Sequence, residues 1–114
     1  MPTSPIDALP LTVPVYQILL ALLDGPLHGY ALLKDIDTRT HGEVRLTAST
    51  LYGAIARMLE ANLIDETDTP TDSRRRSYRI SRTGRALVQR EAERLQRAAG
   101  FARDKRLIGP ARAK

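Results

Sequence analysis

Between Thr12 and Asn62 one pattern occurs three times: a short run of apolar residues at helical spacing, closed by residues that stop a helix. Val15, Ile18, Leu19, Leu22 and Leu23 follow the i, i+3, i+4, i+7 template of an amphipathic helix. Thr12 is a good N-cap, and Pro14 falls in the first turn, where proline is tolerated. "DGPLHG" (24–29) ends this run, because Gly25 accepts a positive φ and Pro26 disfavours helix before it. A second helix is expected over about residues 29–40, burying Tyr30, Leu33 and Ile36. "HGEVRL" (41–46) reads as a loop with a very short extended piece at Val44–Leu46. A third helix begins at the N-cap Thr47 and reaches about Asn62, with Leu51, Ile55, Met58 and Leu59 as its apolar stripe. Asn62 is a suitable C-cap.

Next comes a change of period. "LIDET" (63–67) reads as a strand, residues 68–76 as a loop, and "SYRIS" (77–81) as a return strand that alternates Tyr78 and Ile80 with polar residues. Residues 82–106 are strongly helical by composition. Three short helices followed by a two-stranded ribbon form a winged helix-turn-helix. The expected fold is mostly α with a small two- to three-stranded β-wing and a long C-terminal dimerisation helix. It divides the chain into an arm (1–11), a winged helix-turn-helix domain (12–81), the last helix (82–106) and a flexible tail (107–114). The 114 residues suit one domain rather than two.

Charge separates sharply along the chain. Residues 1–73 hold four basic and ten acidic side chains, whereas residues 74–114 hold fourteen basic and three acidic. Seven arginines and no acid lie between Arg74 and Arg90. This asymmetry points to a polyanion partner. Arginine outnumbers lysine 15 to 3, which suits bidentate contacts to phosphate and guanine. Arg74, Arg75 and Arg76 fall at the tip and return limb of the ribbon. A ribbon tip is narrow enough to follow phosphates or enter the minor groove. The plainer alternative is a charged surface kept for solubility.

At about 100° per residue, Ser49, Gly53 and Arg57 lie opposite the apolar stripe of the third helix, with Thr50, Ala56 and Glu60 beside them. A reading helix must bring its backbone near base edges, and small residues permit that approach. Ser49 and Thr50 can donate to phosphate or base edges from the first turn. Gly53 gives up about 1 kcal/mol of helix propensity against alanine, which indicates a close approach or a tolerated defect. Tyr52, at the edge of the apolar face, can bury its ring and offer its hydroxyl to phosphate, or serve as a plain core tyrosine. Arg57 can contact phosphate or pair with Glu60.

Along the last helix Val88, Ala92, Leu95, Ala99 and Ala102 are spaced four, three, four and three, as in a coiled-coil seam. Leu87 and Phe101 widen it. A helix of this length extends beyond a three-helix domain, so its stripe calls for a partner, most simply the same helix of a second subunit. Two reading helices would then meet two half-sites of a palindromic operator.

Other chemistry finds little support. There is no cysteine, hence no disulfide, thiolate cage or thiol nucleophile. His28 and His41 lack further ligands at metal spacing. No triad, phosphate-cradling glycine loop or carboxylate pair appears, so neither an enzyme nor a cofactor is expected. The N-terminus lacks the basic run and apolar block of a secretory signal, and "ILLALL" (18–23) is too short to span a bilayer. A cytoplasmic protein is expected.

Three blocks together resemble the PadR family of transcriptional regulators: "ILLALLDGPLHGYALLKDI" (18–36), "RLTASTLYGAIARMLEANLI" (45–64) and "RRRSYRISRTGRALVQREAERL" (74–95). The single C-terminal helix is similar to that of the smaller subfamily. The resemblance covers about residues 12–106. It implies a homodimeric, usually repressing protein that binds double-stranded DNA. It carries phosphate or base contacts onto Ser49, Thr50, Tyr52 and Arg57, and wing contacts onto Arg74, Arg75 and Arg76. Asn62 stands where relatives often have glycine, and Gly53 where they often have a larger residue. Some relatives hold flat aromatic drugs between interface tryptophans; this chain has no tryptophan, and any effector is unknown. A winged-helix protein-interaction module and a small RNA-binding protein are the alternatives.

Overall fold

The computed structural model describes residues 6–67 and 76–110. Helix α1 (Val13–Ala21) continues as a single 3₁₀ turn, Leu22–Asp24, and ends where Gly25 takes φ 138°. Thr12 precedes α1 in extended conformation without capping through its side chain. A two-residue strand β1 (Leu27–His28) leads into α2 (Gly29–Arg39). Then follow α3 (Ala48–Glu60), β2 (Ile64–Thr67), β3 (Ser77–Ile80) and α4 (Arg82–Asp104). The three strands form one antiparallel sheet in the order β1-β3-β2. Ile64 pairs with Ile80 and Glu66 with Tyr78, so β2 and β3 form the antiparallel ribbon expected of a wing.

The third strand is not where the sequence placed it. Val44–Leu46 forms no strand. Its backbone is engaged locally: the Thr40 hydroxyl accepts the Val44 amide at 3.0 Å while donating to the Ile36 carbonyl at 2.7 Å. Leu27–His28 pairs with Tyr78 and Ser77 instead. The phase of α2 also differs. Tyr30 is 65% exposed, and Leu32, with Ile36, fills the core. Gly29 faces inward, and Tyr30 is therefore rotated about 100° away from the interior.

The core joins all the helices: Val15, Ile18 and Leu19 of α1 meet Leu32, Ile36, Leu51, Ile55, Met58 and the α4 residues Leu87 and Val88. Each fully buried aliphatic side chain contributes about 1.5–3 kcal/mol relative to exposure. Helix α3 closes with Asn62 at φ 60°, with the Asn62 amide on the Leu59 carbonyl (3.1 Å) and the Leu63 amide on the Met58 carbonyl (2.9 Å). That is the paired bonding of a left-handed helix stop, and it buries Leu63.

The ribbon is latched to this turn. The Ser81 amide donates to the Leu63 carbonyl at 3.0 Å and the Ser81 hydroxyl to the Asn62 carbonyl at 2.7 Å. The same hydroxyl accepts the Gly84 amide at 3.0 Å, capping α4. Gly84 sits so close to the Leu63 carbonyl oxygen that a Cβ would collide with it.

The segment read as an arm is docked where it is described. Leu11 is buried, and Ile6 and Leu9 pack against the core. The Leu11 amide donates to Glu91 Oε2 at 2.8 Å. Glu91, on α4, is buried and pairs with Arg94 at 2.6 Å. The Arg94 guanidinium, helped by the Leu11 amide, holds this carboxyl below the ordinary glutamate range despite its burial.

Candidate nucleic-acid interface

Helix α3 presents two unlike faces. Leu51, Ala54, Ile55 and Met58 are buried, while Ser49, Thr50, Tyr52, Gly53, Ala56, Arg57 and Glu60 are exposed. The Thr47 hydroxyl accepts the Thr50 amide at 3.1 Å and donates to the Thr50 hydroxyl oxygen at 3.0 Å. This fixes the first turn and leaves the Thr50 hydroxyl proton free to donate outward. A Cβ added at Gly53 would meet nothing within 4 Å. The protein's own packing therefore does not require glycine there. The result is a shallow ridge, small at its centre, with Ser49 at one end and Arg57 at the other. Among the described residues Arg57 has no ion-pair partner, Glu60 included.

Tyr52 is not a plain core tyrosine, although part of it packs within the protomer. It is 48% exposed, and its ring end lies directly against the Cα of Gly29, where a Cβ would overlap the hydroxyl. The start of α2 and the exposed face of α3 thus meet at one contact. Tyr52 also faces the root of the ribbon. Burial pushes the Tyr78 phenol above its ordinary pKa; the Glu66 carboxylate and Tyr52 add to that rise, and Arg76 opposes it. Gly29 and Tyr78 were not singled out from the sequence as parts of the site. The juxtaposed "HG" and "LY" blocks were the available signal for Gly29.

Arg76 Nε lies 3.5 Å from Glu66 Oε1, across the ribbon, with 75% of the arginine side chain exposed. Such an exposed pair is weak and readily exchanged for a stronger anion. Arg74 and Arg75 lie outside the described residues. The structure brings Ser49, Thr50, Tyr52, Gly53 and Arg57 together on α3, with the ribbon root beside Tyr52.

The stripe on α4 splits in two. Val88 is 3% exposed and belongs to the protomer's own core, against the expectation that it opens the dimer seam. The N-terminal half of the helix packs into the protomer, with Gly84 against Leu63 and Ile80, and Leu87 and Val88 join the core that α1 also lines. Beyond Glu91 the stripe emerges: Ala92 is exposed, Leu95 is 37% exposed, and Ala99 and Ala102 are half-buried. Phe101, Leu107 and Ile108 are exposed as well.

Among the described residues no group of three or more His, Cys, Asp or Glu could hold a metal ion. No described helix is long and apolar enough to cross a membrane.

The profile of the transcriptional regulator PadR-like family matches residues 18–90. A transcriptional regulator from Clostridium thermocellum has a similar structure, with a TM-score of 0.70 and 25% identity over 80% of this chain and 87% of that one. A PadR family transcription regulator from Clostridium difficile also reaches a TM-score of 0.70, at 21% identity, covering 82% of this chain and 97% of that one. An uncharacterized 37.1 kDa protein of transposon Tn4556 from Streptomyces fradiae is 39% identical over 83 residues, 73% of this chain. The matched region spans about a quarter, 23%, of that relative's length.

Proposed function

Because the chain belongs to the PadR-like family of transcriptional regulators, which are DNA-binding regulators rather than enzymes, we propose that it is a homodimeric repressor of a palindromic operator. The observation that carries the reading is the exposed ridge on α3, where Ser49, Thr50, Gly53 and Arg57 face solvent and the Gly53 position is open. In this reading the ridge enters the major groove, Ser49 and Thr50 contact base edges or phosphates, and Arg57 takes a phosphate. The Tyr52 hydroxyl adds a phosphate contact, and Arg74, Arg75 and Arg76 hold the flanking backbone.

Pairing of two α4 helices from Ala92 through Leu95, Ala99 and Ala102 covers the apolar stripe that one protomer leaves in water. The twofold axis sets two reading helices about one DNA turn apart, roughly 34–36 Å, and dictates an inverted repeat. The protein acts in the cytoplasm.

Selection of bound duplexes from a random pool, at stated salt, tests this reading. The expected product is an inverted repeat with half-sites about one helical turn apart. Recovery of unrelated sequences only, or preference for RNA over duplex DNA, would count against it.

A further inference from the structure

An open groove of about 350 Å³ runs between α2 and the approach to α3, lined by Tyr30, Leu33, Lys34, Asp37, Arg45 and Leu46. We infer that Tyr30, Lys34 and Arg45 form a DNA-backbone contact of their own, separate from the α3 ridge and from the wing. This rests on the proposed DNA-binding reading and names further residues of that interface.

Three observations meet here. The first is exposure where burial was expected. Tyr30 is 65% exposed while Leu32 fills the core position, so the fold does not need an aromatic ring at residue 30. The second is charge. Lys34, one helical turn beyond Tyr30, holds its ammonium 5.9 Å from the centre of the Tyr30 ring. Arg45 reaches in from the loop with 75% of its side chain exposed, its Nε 3.3 Å from Asp37 Oδ1. An exposed pair of this kind adds about 0–1 kcal/mol to stability. Its effect is to orient the guanidinium across the groove. Two cations against the one carboxylate of Asp37 leave the lining net positive.

The third observation is position. Tyr30 directly follows Gly29, whose Cα touches Tyr52 on the exposed face of α3. Arg45 stands two residues before Thr47, the cap of the α3 first turn that carries Ser49 and Thr50. The groove therefore flanks the N-terminal end of α3, the end that a reading helix turns toward base edges. A strand of duplex beside that helix presents phosphates to an ammonium, a guanidinium and a phenol hydroxyl, all of which donate to phosphate oxygen. Leu33 and Leu46 give the sugar face an apolar floor.

Such a contact carries no sequence information, which separates it experimentally from the ridge. Binding of the full chain is measured against a selected duplex and an unrelated duplex over a range of salt. The Lys34→Ala/Arg45→Ala variant is expected to lose at least several-fold affinity on both duplexes, and its log K against log salt slope should fall by about 1.8 per subunit, for two phosphates released. Tyr30→Phe should weaken both complexes with the slope unchanged. Because all three side chains are exposed, unfolding midpoints should match wild type. Unchanged slope and affinity in the double variant, or a loss confined to the selected duplex, would overturn the contact while leaving the regulator reading intact. Wild-type protein that bound neither duplex would overturn that reading and this contact with it.

Discussion

The Glu91 carboxylate on α4 accepts the Leu11 amide at 2.8 Å, joining residues 80 positions apart. The same carboxylate takes two donors from Arg94, at 2.6 and 3.2 Å. A charged side chain thus sits at a nearly closed position, with its acceptor sites filled by a backbone donor and a guanidinium. Its consequence is mechanical. The segment ahead of α1 is tied to the helix that carries the apolar stripe, so α1, α4 and residues 6–11 behave as one packed layer.

Glu91→Ala should lower stability by about 2 kcal/mol, the cost of a buried amide left without an acceptor. Glu91→Gln should lose less, because its amide oxygen still accepts from Leu11. The carboxyl lies below its ordinary range in the folded state. Its contribution is therefore complete above the unfolded value, about 4.3, and fades as pH falls through the lower folded value. Urea unfolding at pH 7 and at successive values below about pH 5 should show a steeper acid limb for wild type than for Glu91→Gln. Parallel limbs would mean that Glu91 is not a determinant of acid stability.

Gly29→Ala places a methyl group against the Tyr52 ring end, and the expected cost is about 1–3 kcal/mol. The side chain can swing outward, so the loss should appear in DNA affinity as well as in stability. In a Tyr52→Ala background the obstacle is gone. The two substitutions should then be non-additive by about 1 kcal/mol or more in a double-mutant cycle of urea midpoints. Simple additivity would show that the contact between α2 and α3 does not constrain Gly29.

Two further glycines should respond in opposite directions. At Gly84 an added Cβ meets the Leu63 carbonyl oxygen, a backbone atom that cannot turn aside, so Gly84→Ala should destabilise by about 3 kcal/mol. At Gly53 the space is open, so Gly53→Ala should stabilise α3 by up to about 1 kcal/mol. If the ridge lies on DNA, the same methyl group should weaken operator binding several-fold. A Gly53→Ala protein that is both more stable and equally tight on DNA would remove Gly53 from the interface.

Much of this architecture was readable because it rests on local rules. The stripes of α1 and α3 follow helical spacing, and Asn62 adopts the left-handed turn that a C-terminal stop requires. What escaped reading depends on distant partners. Strand β1 has two residues, too few to show a period, and exists because Tyr78 and Ser77 pair with it. The phase of α2 is ambiguous in "YALL", where neighbouring residues can each face inward; contact between Gly29 and Tyr52 resolves it. The burial of Glu91 depends on the Leu11 amide, 80 positions away, which no local pattern reveals. Val88 fitted a heptad seam, yet the protomer's own core covers it, since spacing alone does not tell which neighbour buries a stripe. The exposed ridge from Ser49 to Arg57 was legible by periodicity, whereas the exposure of Tyr30 was hidden by the same ambiguity that obscured α2.

The wing arginines give a salt-dependent test. Arg76 keeps 75% of its side chain exposed despite its contact with Glu66. Replacing Arg74, Arg75 and Arg76 together by alanine should weaken binding to every duplex alike and flatten the log K against log salt slope by up to about 2.7 per subunit. Filter-binding or anisotropy titrations across salt would measure it. An unaltered slope would take the wing off the phosphates.

The emergence of the α4 stripe beyond Glu91 separates folding from assembly. Val88 is buried in the protomer, so Val88→Glu should unfold the chain and say nothing about pairing. Leu95 is 37% exposed, and a glutamate there leaves the core untouched. Paired across a twofold axis, however, two such carboxylates would be brought together in an apolar seam, where desolvation and like-charge repulsion act together. Leu95→Glu is therefore expected to keep the wild-type helical content and to sediment as a monomer. Because a dimer engages two half-sites at once, the monomer should also lose most of its preference for an inverted repeat over a single half-site. A Leu95→Glu protein that still sediments as a dimer would move the subunit contact to another surface, and the spacing argument for the operator would go with it.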